Sequence, residues 1–150
     1  MWTHQETVET SAAPEAVWRL WSDVSEWSDW DADIDWARLD GRFETGGHGK
    51  LKPRGVPASD FHLASVVPGK SYTVESKLPL GKLVFHHELE PPAAGRTRFS
   101  HRATFSGPLS PLYGRVFGRK MEKSFHGVME CLARKAEDAE PAAQVEPPST

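Results

Sequence analysis

The spacing of apolar positions along this chain changes period more than once, and each change marks a new element. Thr3 to Thr10 alternate weakly, with Thr7, Val8 and Thr10 favouring extended backbone, and predict a strand. Pro14 suits the first turn of a helix, where its missing N–H would be unpaired anyway, and Val17, Trp18, Leu20 and Trp21 give that helix one apolar face. Asp23, with Glu26 three residues on, resembles a capping box for a second short helix carrying Trp27 and Trp30.

From Ile34 the period falls towards two, and turn residues arrive at hairpin intervals: Asp40-Gly41, Gly46-Gly47, Pro68-Gly69, Leu80-Gly81 and Ala94-Gly95. They separate six strand candidates, Ile34–Leu39, Arg42–Lys52, Asp60–Val67, Ser71–Leu78, Lys82–Glu90 and Arg96–Ser106, which read as an antiparallel meander. After Pro108 the helical spacing returns through Leu109, Leu112, Tyr113, Val116, Phe117, Met121, Phe125, Val128, Met129 and Leu132. Arg115, Arg119, Lys123, Arg134 and Lys135 take the other side, so one amphipathic helix of about 25 residues, ~38 Å long, is expected. Glu137 to Thr150 is rich in Pro, Ala and acid and reads as a disordered tail behind a single domain of residues 1–136.

This order defines an α+β fold: a curved seven-stranded antiparallel sheet with two short helices and a long C-terminal helix laid over a cavity. A single helix touches a strongly curved sheet only along its own stripe, so space is expected between the two.

The order of elements is also that of a known superfamily, and the residues agree. Ala13-Pro-Glu-Ala-Val-Trp-Arg-Leu-Trp-Ser-Asp-Val-Ser-Glu-Trp, Val67-Pro-Gly-Lys-Ser-Tyr-Thr-Val-Glu, His87-Glu-Leu-Glu-Pro, Gly95-Arg-Thr-Arg-Phe and Phe105-Ser-Gly-Pro-Leu precede the long helix. In these segments, over about residues 3 to 136, the chain resembles the helix-grip (SRPBCC, START-like) superfamily. That group includes START lipid-transfer domains, birch-pollen-allergen-like proteins and bacterial polyketide cyclases. The resemblance implies a hydrophobic or aromatic small molecule, lipid- or polyketide-like, bound in an internal cavity. It leaves the ligand open, because one fold hosts many functions.

Composition narrows the rest. There are 18 basic and 21 acidic side chains, for a net charge of -3, so no global field draws the chain to nucleic acid or anionic lipid. The first residues do not read as a secretory signal, and no stretch approaches ~18 consecutive apolar residues, so a cytoplasmic protein without a membrane span is expected. One cysteine, Cys131, excludes an internal disulfide framework. No metal and no cofactor are expected, because the histidines lack ligand spacing and no phosphate-binding loop is present. Seven acids between Ser22 and Asp40 face one base, Arg38, while Arg115, Arg119, Lys120 and Lys123 cluster later; both patches read as solvated faces.

Strand alternation then selects the chemistry. His86 and His87 point apart, and so do Ser100 and His101, which leaves one histidine on each aromatic face: His87 beside Phe85, and His101 between Phe99 and Phe105. Burial there favours neutral imidazole. His87 and His101 are therefore the catalytic candidates if the protein is the cyclase or dehydrase that the resemblance also allows, with Tyr72 and Tyr113 as phenolic donors. The alternative is that the histidines are hydrogen-bonded core residues or orient a ligand; a third reading is an interaction module whose acidic segment docks a basic partner. The expected ligand-binding set is Trp27, Trp30, Trp36, Phe61, Tyr72, Phe85, Phe99, Phe105, Tyr113, Phe117, Met121 and Phe125. Trp18 and Trp21 are assigned to the core, Trp27, Trp30 and Trp36 to the cavity mouth, and Gly114 and Gly118 to ligand space or close backbone packing.

Overall fold

The computed structural model describes the backbone of residues 1–90 and 95–145, and side chains as far as residue 139. Strand β1 (Trp2–Thr10) leads into helices α1 (Pro14–Ser22) and α2 (Trp27–Trp30), with a 3-10 turn at Val24–Glu26 between them. Strands β2 (Ile34–Asp40), β3 (His48–Pro53), β4 (Ser59–Val67), β5 (Ser71–Leu78), β6 (Gly81–Leu89) and β7 (Thr97–Ser106) follow. The chain ends in α3 (Ser110–Tyr113), a π-helical turn (Gly114–Gly118) and α4 (Arg119–Val145).

The strands form one antiparallel sheet in the order β1-β7-β6-β5-β4-β3-β2. Every hairpin joins sequence neighbours except the outer pair, where β1 closes against β7 with Trp2 opposite Phe105 and Thr10 opposite Thr97. Register shifts at Ile34/Trp36 and Leu63/Ser65 add residues to β2 and β4 and bend the sheet there. The curvature makes a concave face, and α1 and α4 pack on it: Val17, Trp21, Met129, Leu132 and Ala136 are buried with Phe99 and Ala103 of β7.

The ends of the grip are fixed by hydrogen bonds. Thr97 Oγ1 donates to Ala12 O at 2.6 Å, and Thr10 Oγ1 donates to Glu137 Oε2 at 2.6 Å, tying β1 to α4. Glu137 is thus part of the helix, which continues to Val145, and the boundary expected at residue 136 falls inside α4. The remainder of the expected tail, residues 146–150, lies outside the described residues, as does Ala94 of the last expected turn.

Three local expectations are corrected. The strand expected over Arg42–Lys52 begins only at His48, because Gly41 and Gly46 take positive φ (98° and 93°) and turn the chain in between. Asp23 caps no helix; its Oδ1 accepts the Ser25 hydroxyl at 2.7 Å instead. The long helix is not uniform: it opens with α3 and the π turn before α4.

Gly114 and Gly118 explain that opening. A Cβ on Gly114 would lie 2.8 Å from Trp2 Cβ and Cγ, and one on Gly118 would lie 2.7 Å from Trp2 Cε2. The volume these glycines leave belongs to the Trp2 indole and not to a ligand. Added bulk in such a contact typically costs about 1–3 kcal/mol, against about 1 kcal/mol that alanine gains in helix propensity. Gly118→Ala, whose new Cβ would meet only the indole ring of Trp2, is therefore expected to destabilise the protein by about 1 kcal/mol in urea unfolding. In a Trp2→Ala background the same change should stabilise it. The same sign in both backgrounds would show that Trp2 does not wedge this turn.

Candidate functional site

Between the concave face and the helices lies a cavity of about 300 Å³. Strand pleating supplies its floor: Tyr72, Val74, Ser76 and Leu78 alternate along β5, Leu83, Phe85 and His87 along β6, and His101 and Phe105 along β7. Trp27 and Trp30 of α2 close one side, and Phe117, Met121, Phe125 and Val128 close the other. Arg54, Val56 and Lys120 are exposed and border the opening.

Cross-strand register places the polar groups in one row. Tyr72 lies opposite His87, and His87 opposite His101. The Tyr72 and His87 rings stack in parallel, 4.0 Å between centroids at 1°, and the two imidazoles meet edge to face at 4.5 Å. Trp21 packs behind this row, 5.5 Å from Tyr72 and 5.7 Å from both histidines. His86, on the other face, bonds Thr73 Oγ1 through Nδ1 and Glu88 through Nε2.

Both imidazoles are buried, yet His87 Nδ1 and His101 Nε2 have no hydrogen-bond partner among the described residues. The Trp30 Nε1, also buried at the cavity wall, has none either. Desolvation lowers the pKa of His101 to about 3, and desolvation together with the neighbouring His101 lowers that of His87 well below its ordinary value. Both rings are neutral at pH 7.

The group that sequence reasoning missed is Asp31. Counted there among solvated acids, it lines the cavity beside Trp30, and its Oδ1 accepts the Asp33 N–H at 2.9 Å. Desolvation raises its pKa to about 7, the Asp33 N–H and the Asp33 charge being lesser influences in opposite directions. No salt bridge forms on it among the described residues. Its charge, after burial itself, helps push the Tyr72 phenol up. A signal was available: Asp31 directly follows Trp27 and Trp30 at the end of α2, where its N–H still donates to Trp27 O at 2.9 Å.

Of the expected residues, His87, His101, Trp27, Trp30, Tyr72, Phe85, Phe105, Phe117, Met121 and Phe125 line the cavity together. Four do not. Trp36 is 38% exposed on β2, with the Arg38 guanidinium 5.7 Å over its ring, because the bulge beside it changes the strand's facing. Phe61 is buried behind Trp27, and Phe99 behind Trp21. Tyr113 stacks on Phe105 and donates its hydroxyl to Pro79 O at 2.7 Å. Trp27 and Trp30 are buried walls and do not form a mouth. Trp21 is fully buried core, with Trp18 partly buried against it. Among the described residues no group of three His, Cys, Asp or Glu is placed to hold a metal ion, and no helix is long and apolar enough to cross a membrane.

A sheet gripping one long helix over an internal cavity is the helix-grip arrangement of the Bet v1/START-like proteins. The sequence matches the family described as polyketide cyclase / dehydrase and lipid transport over residues 1–139, and the chain belongs to that family. The Zhui aromatase/cyclase from Streptomyces sp. R1128 superposes with a TM-score of 0.74 at 13% identity, over 91% of this chain and 93% of that one. The di-domain aromatase/cyclase BexL of the BE-7585A biosynthetic pathway gives 0.71 at 13% identity, covering 91% of this chain. This chain spans 47% of that protein's length. A START superfamily protein from Mycobacterium smegmatis gives 0.66 at 14% identity, over 91% and 98% of the two chains. No curated protein matches the sequence. At these identities the neighbours establish the fold.

The buried groups predict opposite pH effects on stability. For His101 the folded value near 3 lies below the ordinary ~6.5, so the unfolded chain binds more protons within that window. Its contribution is whole above pH ~6.5 and declines as pH falls, by at most roughly 1.4 kcal/mol per pH unit. For Asp31 the folded value near 7 lies above the ordinary ~3.9, so its contribution is whole at low pH and is lost as pH rises through about 7. Urea unfolding across pH should show His101→Phe with a shallower acid-side loss and Asp31→Asn with a shallower neutral-side loss. Parallel profiles for wild type and both variants would contradict the assignment.

Proposed function

We propose that the protein binds a small, flat aromatic ligand of the oxygenated, polyketide-like kind in this cavity. The observation that carries the reading is the make-up of the wall. Aromatic rings of Trp27, Trp30, Tyr72 and Phe85 surround a deep end where His87 Nδ1 and His101 Nε2 are buried and unpartnered. Rings supply area for stacking, and the two nitrogens supply hydrogen bonds that a plain hydrocarbon chain would leave unmade. The volume of about 300 Å³ is at the small end for such sites and suits a compact ligand. Family membership and the aromatase/cyclase neighbours support the same ligand class.

Titration with hydroxylated anthraquinones and naphthols, followed by tryptophan emission, tests this. Quenching should be unchanged in Trp36→Phe, whose indole lies outside the cavity, and should fall at least tenfold in apparent affinity in Met121→Trp, which fills it. Equal affinity in a folded Met121→Trp protein would place the ligand elsewhere.

Asp31 favours a second reading, cyclase or dehydrase chemistry. General acid/base transfer is most efficient when the group's pKa lies near the working pH, and an imidazole near 3 is a poor proton acceptor at neutrality. Asp31 titrates where such chemistry needs it. In this reading an α-proton of a polycarbonyl compound passes to the Asp31 carboxylate, leaving an enolate whose oxygen is held by hydrogen-bond donors of the Tyr72–His87–His101 row; reprotonation returns it. Deuterium exchange into 1-phenylbutane-1,3-dione should be accelerated with an inflection near pH 7, and Asp31→Asn should remove both. Exchange that survives Asp31→Asn would return the role to the histidines.

A further inference from the structure

Outside the cavity, the start of the C-terminal helix and the hairpin tip beside it make one surface of unusual composition. Leu80 is 67% exposed, Leu112 51%, Val116 57% and Phe117 41%. The pieces are locked together: the Leu109 N–H donates to Leu80 O at 3.0 Å, and the Tyr113 hydroxyl donates to Pro79 O at 2.7 Å. Leu112 and Val116 stand four apart across the π turn, Arg119 and Lys123 stand four apart in α4, and all four side chains are exposed along the start of the helix. Arg115 and Lys120 lie among them. None of these four cations forms a salt bridge among the described residues, and between Ser110 and Ser124 only Glu122 is acidic. A chain of net charge -3 thus carries a local basic face studded with large apolar side chains. Phe117 and Lys120 belong both to this face and to the cavity lining.

Apolar side chains that stand out between cations suit a surface that is anionic in its outer layer and apolar beneath. A lipid bilayer containing anionic headgroups has that profile: lysine and arginine meet the headgroups while leucine, valine and phenylalanine enter the acyl boundary. An acidic protein would satisfy the cations but leave the protruding Leu80, Leu112 and Val116 without a matching hollow. We propose that this face docks the protein on an anionic lipid surface, with the cavity mouth at the contact. Docking there would let an apolar ligand pass between bilayer and cavity without crossing open water. That last step rests on the ligand-binding reading above; the docking does not.

Co-sedimentation with phosphatidylcholine vesicles, with and without phosphatidylglycerol, tests it on the whole chain without any cavity ligand. Binding is expected only with phosphatidylglycerol and should weaken as salt is raised. Arg119→Glu with Lys123→Glu should lower the partition at least tenfold, since each cation near such a surface contributes roughly fivefold. Leu112→Ser with Val116→Ser should remove the binding that persists at high salt. All four positions are exposed, so the variants should keep wild-type unfolding curves and wild-type aromatic ligand affinity. Three results would each overturn the proposal: no preference for phosphatidylglycerol, full binding by the charge-reversed variant, or retention by an acidic protein with no vesicle binding.

Discussion

One helix cannot cover seven strands. With neighbouring strands about 4.8 Å apart, a seven-stranded sheet is roughly 29 Å across, whereas a helix with its side chains is only about 10–12 Å wide. Once the sheet bends around α4, contact is limited to the stripe under the helix and to the end closed by α1 and α2. Near Val17, Trp21, Met129 and Leu132 the two layers meet and the interior is filled. Further along, towards Phe117 and Met121, they part, and the cavity is that separation. The hollow is thus a consequence of layer geometry, and the side chains on the concave face decide what it can hold.

Those side chains are set by pairing. Because partners across an antiparallel sheet face the same way, the register that puts Tyr72 opposite His87 and His87 opposite His101 builds a polar row across three strands. Packing then holds it: Tyr72 covers one face of His87, while Trp21 touches all three rings. Because these groups are buried, proton affinities move in the direction burial dictates, imidazoles down and the Asp31 carboxyl up. Sites that would bear opposite charges in water are driven towards neutrality together, which lowers the cost of an aromatic ligand replacing the solvent beside them.

Much of this was legible in the chain itself, for identifiable reasons. Strands read well where alternation is strict and turns carry glycine: Ser71–Leu78 has the bounds expected, and His87 and His101 face inward as alternation requires. Reading failed where a local rule was overridden from a distance. Trp36 moved out of the site because a bulge in β2 altered its facing, which no periodicity reveals. Gly114 and Gly118 read equally as ligand space or close packing, because the residue that decides for packing, Trp2, is over a hundred residues away in the chain. Asp31 was lost for the opposite reason: it sits in a run of acids whose charge suggested solvent, and only the two tryptophans before it pointed inward. Composition averaged over a segment hides the one member that folds the other way.

The deep end of the cavity is also where stability and function pull apart. A buried polar atom without a partner typically costs about 1–3 kcal/mol, and His87 Nδ1, His101 Nε2 and Trp30 Nε1 are three such atoms on residues of one cavity lining. Leucine or phenylalanine at positions 87 and 101 would fill the same faces with no such cost, as Phe85 and Phe99 do beside them. The Asp31 carboxyl adds to the imbalance, since burial penalises its charge and no cation among the described residues pairs with it. A core shaped by packing alone would not retain this set. Its members share one lining, and what relieves their cost is a molecule that offers hydrogen bonds to the row while presenting a ring to Trp27 and Tyr72. The features that make the fold less stable than it could be are therefore the ones that define what it recognises.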